Sequence, residues 1–137
     1  MSEDDRELEV LTRVECLRLL RANSFGRVGL IVDGRPLVLP VNYGMEGEVV
    51  VFRTGPGTKL RWAPMRRVAF EVDEIDRDHG LAWSVLVQGV AQDVARAAGG
   101  YGRALRWVTV EPSAPGERDH RVAIDASEIS GRRFALR

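Results

Sequence analysis

Phe25-Gly26-Arg27-Val28-Gly29-Leu30-Ile31-Val32-Asp33-Gly34-Arg35-Pro36-Leu37-Val38-Leu39-Pro40-Val41-Asn42-Tyr43 reads as two strands folded back on each other. The first half, Phe25 to Val32, is rich in the β-branched and large apolar residues that suit a pleated, half-buried surface. Asp33-Gly34 is a strong signal for a two-residue hairpin turn, because both of its central positions need positive φ. The chain then returns from Pro36 to Tyr43 as a second strand. A proline inside a strand belongs at an edge or an irregular end, where its missing N–H does no harm. Backbone groups around Pro40 can therefore face a ligand in place of a neighbouring strand.

Downstream the same grammar repeats. Gly44 to Gly47 reads as a turn and Glu48 to Thr54 as a third strand. Gly55-Pro56-Gly57 is a tight loop, and Thr58 to Met65 a short helical or irregular link broken by Pro64. Arg67 to Asp73 is a fourth strand, Asp76 to Gly80 a turn, and Leu81 to Val94 a long strand in which Gly89 marks a bend or bulge. A short helix fits Ala95 to Val108, although Gly99, Gly100 and Gly102 weaken it. Glu111 to Glu117 is a loop, Arg118 to Ala126 a last strand, and Ser127 to Arg137 a tail.

Upstream, Val10, Leu11, Val14, Leu17 and Leu20 recur at helical spacing and give one apolar stripe. Thr12 can cap that helix with Glu15 as its capping-box partner, while Leu8 and Val10 fit an earlier start equally well. Asn23-Ser24 ends it. Short strands joined by turns, with a leading helix and few crossover helices, predict a mainly β fold with minor α: an antiparallel barrel with an N-terminal helix. The expectation is a single domain over residues 1–137, with 1–8 as a flexible tail.

Composition narrows the function classes. Twenty basic and twenty acidic side chains cancel, with no basic stripe, which argues against a general nucleic-acid binder. A local positive site for a small anion remains compatible with zero net charge. One cysteine, Cys16, cannot form an internal disulfide, and a zinc site would lack its usual ligands. His79 and His120 lie far apart, have no partner suggesting a catalytic triad, and read as surface residues. No apolar run approaches the roughly 20 residues that span a bilayer, and the N-terminus lacks a signal-peptide layout. The expectation is a cytoplasmic protein with no membrane or nucleic-acid partner and no metal.

Three segments can carry chemistry. In Phe52-Arg53-Thr54-Gly55-Pro56-Gly57-Thr58-Lys59, two hydroxyls, loop N–H groups and one ammonium can converge on a phosphate. Helical geometry opening at Thr58 would add a favourable field for the anion. The Gly-x-x-x-x-Gly-Lys spacing of a Walker loop is absent. Pro40-Val41-Asn42-Tyr43 offers an apolar face with backbone donors and acceptors, the combination an isoalloxazine ring requires. On the long strand, alternation puts Trp83, Val85 and Val87 on one face and Ser84, Leu86 and Gln88 on the other. Trp83 can stack near such a ring and Gln88 can bond its polar edge. Taken singly, a β-turn with a surface lysine and ordinary strand packing explain these segments better.

Together, in this order and spacing, they resemble a known family. Gly26-Arg27-Val28-Gly29, Val32-Asp33-Gly34-Arg35-Pro36, Pro40-Val41-Asn42-Tyr43, Val51-Phe52-Arg53-Thr54, Gly57-Thr58-Lys59-Leu60, Val68-Ala69-Phe70-Glu71-Val72-Asp73 and Trp83-Ser84-Val85-Leu86-Val87-Gln88-Gly89 resemble the pyridoxamine 5′-phosphate oxidase-like, FMN-binding split-barrel family. The match runs over roughly residues 9 to 134 and is closest to a small actinobacterial branch, with Ile129-Ser130-Gly131-Arg132-Arg133-Phe134 included.

The resemblance implies an antiparallel split β-barrel and a homodimer with two flavin sites at the subunit interface. It implies that Thr54, Thr58 and Lys59, with Phe52 and Arg53, hold the FMN phosphate. Pro40, Val41, Asn42 and Tyr43 would lie along the ring, and Trp83, Ser84 and Gln88 would approach partly from the other subunit. It further implies an FMN-dependent oxidoreductase acting on a small molecule. The same fold also serves deazaflavin-dependent reductases, for which Arg53, Arg61, Arg66 or Arg67 are extra basic candidates, and non-enzymatic flavin or haem carriers. The chain ends in Gly131-Arg132-Arg133-Phe134-Ala135-Leu136-Arg137 and does not match the arginine- and tryptophan-containing segment that handles the substrate phosphate of authentic pyridoxamine phosphate oxidases. No residue is assigned as a catalytic acid or base.

Overall fold

The computed structural model describes residues 7–54, 62–97, 99–110 and 120–136. Thr58 and Lys59 lie outside them. Eight strands and two helices follow in chain order: β1 (Glu7–Val10), α1 (Arg13–Arg21), β2 (Phe25–Val32), β3 (Arg35–Glu46), β4 (Val49–Thr54), β5 (Arg67–Asp76), β6 (Leu81–Asp93), α2 (Gly99–Arg106), β7 (His120–Asp125) and β8 (Glu128–Ala135). A single 3-10 turn, Val94–Arg96, separates β6 from α2.

The strands run antiparallel in the order β1-β8-β6-β5-β2-β3-β4-β7, and a β6–β7 pairing closes β6, β5, β2, β3, β4 and β7 into a six-stranded barrel. Strands β8 and β1 extend the sheet beyond β6. Closure removes two free edges that would otherwise invite pairing with other chains. None of the described helices is long and apolar enough to cross a membrane.

The quoted hairpin folds as its turn residues require. Asp33 and Gly34 have φ of 52° and 75°, and the register runs without a break from Val32↔Arg35 to Phe25↔Asn42. Inward positions Val28, Leu30 and Val32 are buried, whereas Phe25 and Ile31 face out. Val41, Tyr43, Val50, Phe52, Phe70, Val72, Val85, Val87, Val122 and Ile124 fill the rest of the main core.

Helix α1 closes one side of that core. Thr12 caps it with the reciprocal bonds of a capping box to Glu15, and Cys16, Leu17, Leu19 and Leu20 are buried. Val14, counted in the apolar stripe, is 76% exposed, because Leu19 takes its place on the buried side. The helix does not begin earlier: Glu7–Val10, read from the sequence as the end of a tail and an alternative helix start, forms a strand on β8. Arg13 reaches across to the Glu48 carboxylate at 2.8 Å and to Ala126 O at 2.8 Å.

Arg13 holds the Glu48 carboxyl below its ordinary value, first by hydrogen bonding and then by charge. A carboxyl lowered in the folded state adds stability above its unfolded value, and that stability is lost as pH falls through the lowered one. Both side chains are exposed, so the effect is small. Glu48→Gln is expected to flatten this acid limb in a plot of melting temperature against pH; an unchanged limb would mean the pair adds nothing.

Two further segments depart from the sequence reading. Residues 128–135, expected as a tail, form β8, which pairs with β6 over eight residues, from Leu81↔Ala135 to Gln88↔Glu128. The segment carries few apolar residues, so pattern alone does not mark it as a strand. Its Gly131 lies under α1, where an added Cβ would stand 2.6 Å from Cys16 Sγ. Gly44, expected in a turn, sits inside β3, and the turn itself is confined to Gly47-Glu48. The glycine is there for close approach: a Cβ would stand 2.2 Å from Thr109 O.

A second apolar cluster lies on the other face of β4 and β7. Val49, Val51 and Ala123 pack there against Val94, Leu105, Val108 and Val110. This cluster explains why α2 exists despite its glycines, since tertiary burial of Leu105 overrides weak propensity.

Candidate functional site

Strand β3 changes partners in the middle. Residues 35–42 pair with β2 and residues 43–46 with β4. The segment Pro40-Val41-Asn42-Tyr43 therefore sits where β2 and β4 part, at the split of the barrel.

The hairpin register decides which backbone groups face that split. A two-residue turn makes Val32↔Arg35 a hydrogen-bonded pair, and bonded and non-bonded pairs then alternate. Pro36, Val38, Pro40 and Asn42 fall at non-bonded positions, so their backbone groups point away from β2. The bond from Tyr43 N to Ser24 O, 2.9 Å, agrees with that parity. Both prolines thus lie where a missing N–H is harmless, and the carbonyl of Pro40 turns toward the opening, whereas Asn42 already lies beside β4.

The side chains divide by face. Val41 and Tyr43 are buried in the core, Pro40 is exposed and Asn42 is half-buried. Tyr43 stands edge-on to Phe70, with centroids 4.9 Å apart, and its hydroxyl donates to Leu20 O at 2.6 Å. Burial pushes the Tyr43 phenol far up, so it stays protonated. Leu20 O also accepts from the backbone N–H groups of Ala22 and Asn23. Tyr43→Phe is therefore expected to cost about 1 kcal/mol in chemical denaturation, a single hydrogen bond with no orphaned acceptor. A loss above about 3 kcal/mol would mean that the hydroxyl organises more than this contact.

Beside this segment, β4 brings Phe52, Arg53 and Thr54. Phe52 opposes Tyr43 and is fully buried; Arg53 is half-buried and opposes Arg121; Thr54 opposes His120. Thr54 is 4% exposed and is the buried polar residue found among those described. Its Oγ1 lies 3.4 Å from His120 O, long for an O–H···O bond. A buried hydroxyl so loosely held retains capacity for another acceptor. It stands at the last position of β4, so the donor it offers fits an anionic group at the strand's end.

Trp83, Ser84 and Gln88 lie on β6, separated from β3 by β5 and β2. Trp83 faces inward with Val85 and Val87 and packs against the main core, whereas Ser84 and Gln88 face outward, as strand alternation requires. Ser84 opposes Asp73 and Arg132; Gln88 opposes Ala69 and Glu128. Three interstrand steps around the sheet separate Ser84 from β3. Within one chain, β3 and β4 bring Pro40, Asn42 and Thr54 into one region, and the β6 residues form a separate group.

Between these groups lies the outer face of β3, β2, β5, β6 and β8. Phe25, Ile31, Val38, Ile75 and Val90 are each 43% exposed or more on it. Arg27, midway, pairs with Glu71 and with Asp73 at 3.0 Å. Burial raises the Glu71 carboxyl, and the hydrogen bond with Asp73 raises it further against the opposing effect of Arg27. Among the described residues, no group of three or more His, Cys, Asp or Glu side chains is arranged to hold a metal. His79 bonds Asp76 at 2.7 Å in the exposed β5–β6 turn.

A six-stranded antiparallel barrel whose strands part at β3, with a capped helix over one side, is a split β-barrel. The chain belongs to the family described as pyridoxamine 5′-phosphate oxidase, whose model matches residues 12–133. A FAD binding protein from Mycobacterium smegmatis is similar in structure, with TM-score 0.77 and 34% identity, covering 94% of this chain and 100% of the other. A FAD-binding protein from Mesorhizobium loti has TM-score 0.67 and 27% identity, covering 91% and 96%. An uncharacterized protein of Mycobacterium tuberculosis is 31% identical over 138 residues, covering 94% of this chain and 87% of its own length.

Proposed function

We propose that this chain is a cytoplasmic flavin-dependent oxidoreductase that binds FMN, or the FMN moiety of a larger flavin, at the split of its barrel. The observation that carries the reading is Thr54, a buried, loosely bonded hydroxyl at the end of β4, one strand away from the backbone groups that β3 turns toward the opening. Thr54, with Thr58 and Lys59 after it in sequence, holds the 5′-phosphate, and Arg53 strengthens the local field. Val41, Tyr43 and Phe52 contribute a rigid wall, since their side chains are committed to the core. A bound flavin supplies hydride or single-electron transfer to a small-molecule substrate, and the protein supplies orientation and exclusion of water.

The same reading makes the protein a homodimer. The apolar residues on the outer face of β2, β3 and β5 offer a surface to a second copy, because exposed patches of this kind commonly mark association sites. Ser84 and Gln88, which face outward on β6, then approach the site of the other, while Trp83 supports the strand from the core side.

Denaturing the purified protein and identifying any released chromophore by absorbance and mass tests the reading, followed by titration of the emptied protein with FMN. Release or stoichiometric binding of flavin is the expected result. Release of a deazaflavin would assign the site to that cofactor, and a colourless protein that binds neither would sink the proposal. Turnover of reduced nicotinamides with candidate acceptors separates an enzyme from a carrier.

A further inference from the structure

Gly29 stands in the middle of β2, and nothing in its own chain requires a glycine there. Its φ is not left-handed, and an added Cβ would stand 3.8 Å from Ala69 Cβ and from Leu37 O, ordinary contact distances. A glycine inside a strand costs stability and marks a place where another backbone comes close. Gly29 lies on the outer face of the sheet, in line with the exposed Phe25 and Ile31.

The strand register arranges this face in rows. One row runs Pro40, Arg27, Glu71, Leu86 across β3, β2, β5 and β6, and the next runs Val38, Gly29, Ala69, Gln88. A two-fold axis along the strands, between β2 and β5, lays each row on its own reverse. Gly29 then meets the partner's Ala69, a small residue on a small one, which lets the two sheets approach. Arg27 meets the partner's Glu71, and Leu86 and Gln88 come over the partner's Pro40 and Val38. Ser84, two residues from Leu86, comes over the partner's Asn42. The pattern complements itself, as a two-fold interface between identical chains requires.

Charge on this face is unbalanced. Arg27 pairs with Glu71 and, at 3.0 Å, with Asp73, so one guanidinium serves two carboxylates. The outward residues of β3 and β6 bring no titratable group to Glu71. Arg67, further along β5, reaches Glu128 at 3.6 Å, and Arg132 on β8 lies against the Phe134 ring. A second copy laid on this face would gather two guanidinium groups and four carboxylates away from water. Burying such an excess of negative charge favours taking up protons. Glu71, whose carboxyl is already raised by burial and by Asp73, is the group that accepts them.

We propose that a second copy packs on this face about that axis, and that the pairing takes up protons at Glu71 and Asp73, so that the dimer tightens as pH falls. The inference rests on the dimer reading above. Pairing holds the carboxyl further above its ordinary value than the single chain does. Its contribution is therefore full at low pH and fades as pH rises through that raised value.

Sedimentation equilibrium of the purified protein at about pH 6 and pH 8 tests it, for the wild type, Glu71→Gln and Gly29→Leu. The wild-type dimer is expected to dissociate about tenfold or more readily at the higher pH. Glu71→Gln is expected to remove that dependence and to pair at the higher pH as tightly as the wild type does at the lower. Gly29→Leu is expected to stay monomeric at both, with a melting temperature no lower than that of the monomeric wild type at high dilution, because its side chain meets only solvent in the single chain. Wild-type association that does not change with pH overturns the inference and leaves the dimer intact. Tightening that survives Glu71→Gln would follow from the fall in overall charge toward neutrality, and overturns it too. A Gly29→Leu protein that still pairs places the interface elsewhere. A wild type that is monomeric at both values overturns this inference together with the dimer reading beneath it.

Discussion

Gly44→Ala is expected to destabilise the protein by about 3 kcal/mol, at the upper end of overpacking costs, and to lower its melting temperature by roughly 10 °C. The added methyl would stand 2.2 Å from Thr109 O and 2.6 Å from Val108 Cγ1. A backbone carbonyl cannot rotate away as a flexible side chain can. Relief requires lifting the segment after α2 off β3, which opens the cluster of Val49, Val51, Leu105, Val108 and Val110. Gly89→Ala is the matched control, because its Cβ would meet Asp125 O at 3.4 Å and Ile124 Cγ2 at 3.5 Å, ordinary contact distances. Thermal melts of the two variants decide the matter. Equal losses would show that the effect is strand propensity rather than close approach, and a harmless Gly44→Ala would show that the 109 segment is not held against β3.

The second large effect is on ligand affinity. Lys59→Ala is expected to weaken FMN binding tenfold to a hundredfold, since a charge-assisted bond to phosphate contributes about 1.5–3 kcal/mol. Thr54→Val is expected to act in the same direction by roughly tenfold, the lower end of what one hydrogen bond to a charged group contributes. The melting temperature of the emptied Thr54→Val protein should change little, because the hydroxyl it loses makes only a 3.4 Å contact. Fluorescence titration with FMN reads the affinity and a melt without ligand reads the fold. Unchanged FMN affinity in both variants would put the phosphate elsewhere, and an equal loss of fold and affinity in Thr54→Val would make that residue structural.

Much of the barrel was legible because its signals are local. Asp33-Gly34 demands a type I′ turn whatever surrounds it, and Thr12 with Glu15 forms its capping box within four residues. Alternation on the long strand put Trp83, Val85 and Val87 on one face and Ser84, Leu86 and Gln88 on the other, and the first set is the one that packs on the core. The segment after Ser127 was illegible for the opposite reason: Glu128–Ala135 owes its extended form to backbone pairing with β6, which polar residues can make as well as apolar ones. Val14 misled the helix reading because periodicity counts apolar residues without knowing which side faces the core.

The candidate site divides in the same way. Its residue types and their order stand in the chain: the prolines of β3, the hydroxyl of Thr54, the lysine five residues on. From these alone a turn and two ordinary strands were the better explanation. Only the tertiary structure decided that β3 leaves β2 for β4 at Asn42-Tyr43, that the Tyr43 hydroxyl is spent on Leu20 O, and that His120, distant in sequence, stands opposite Thr54. Turn, cap and alternation depend on a few neighbouring residues and can be read from them. Partner exchange, close approach and clefts depend on segments tens of residues apart, and only the closed barrel brings them to one place.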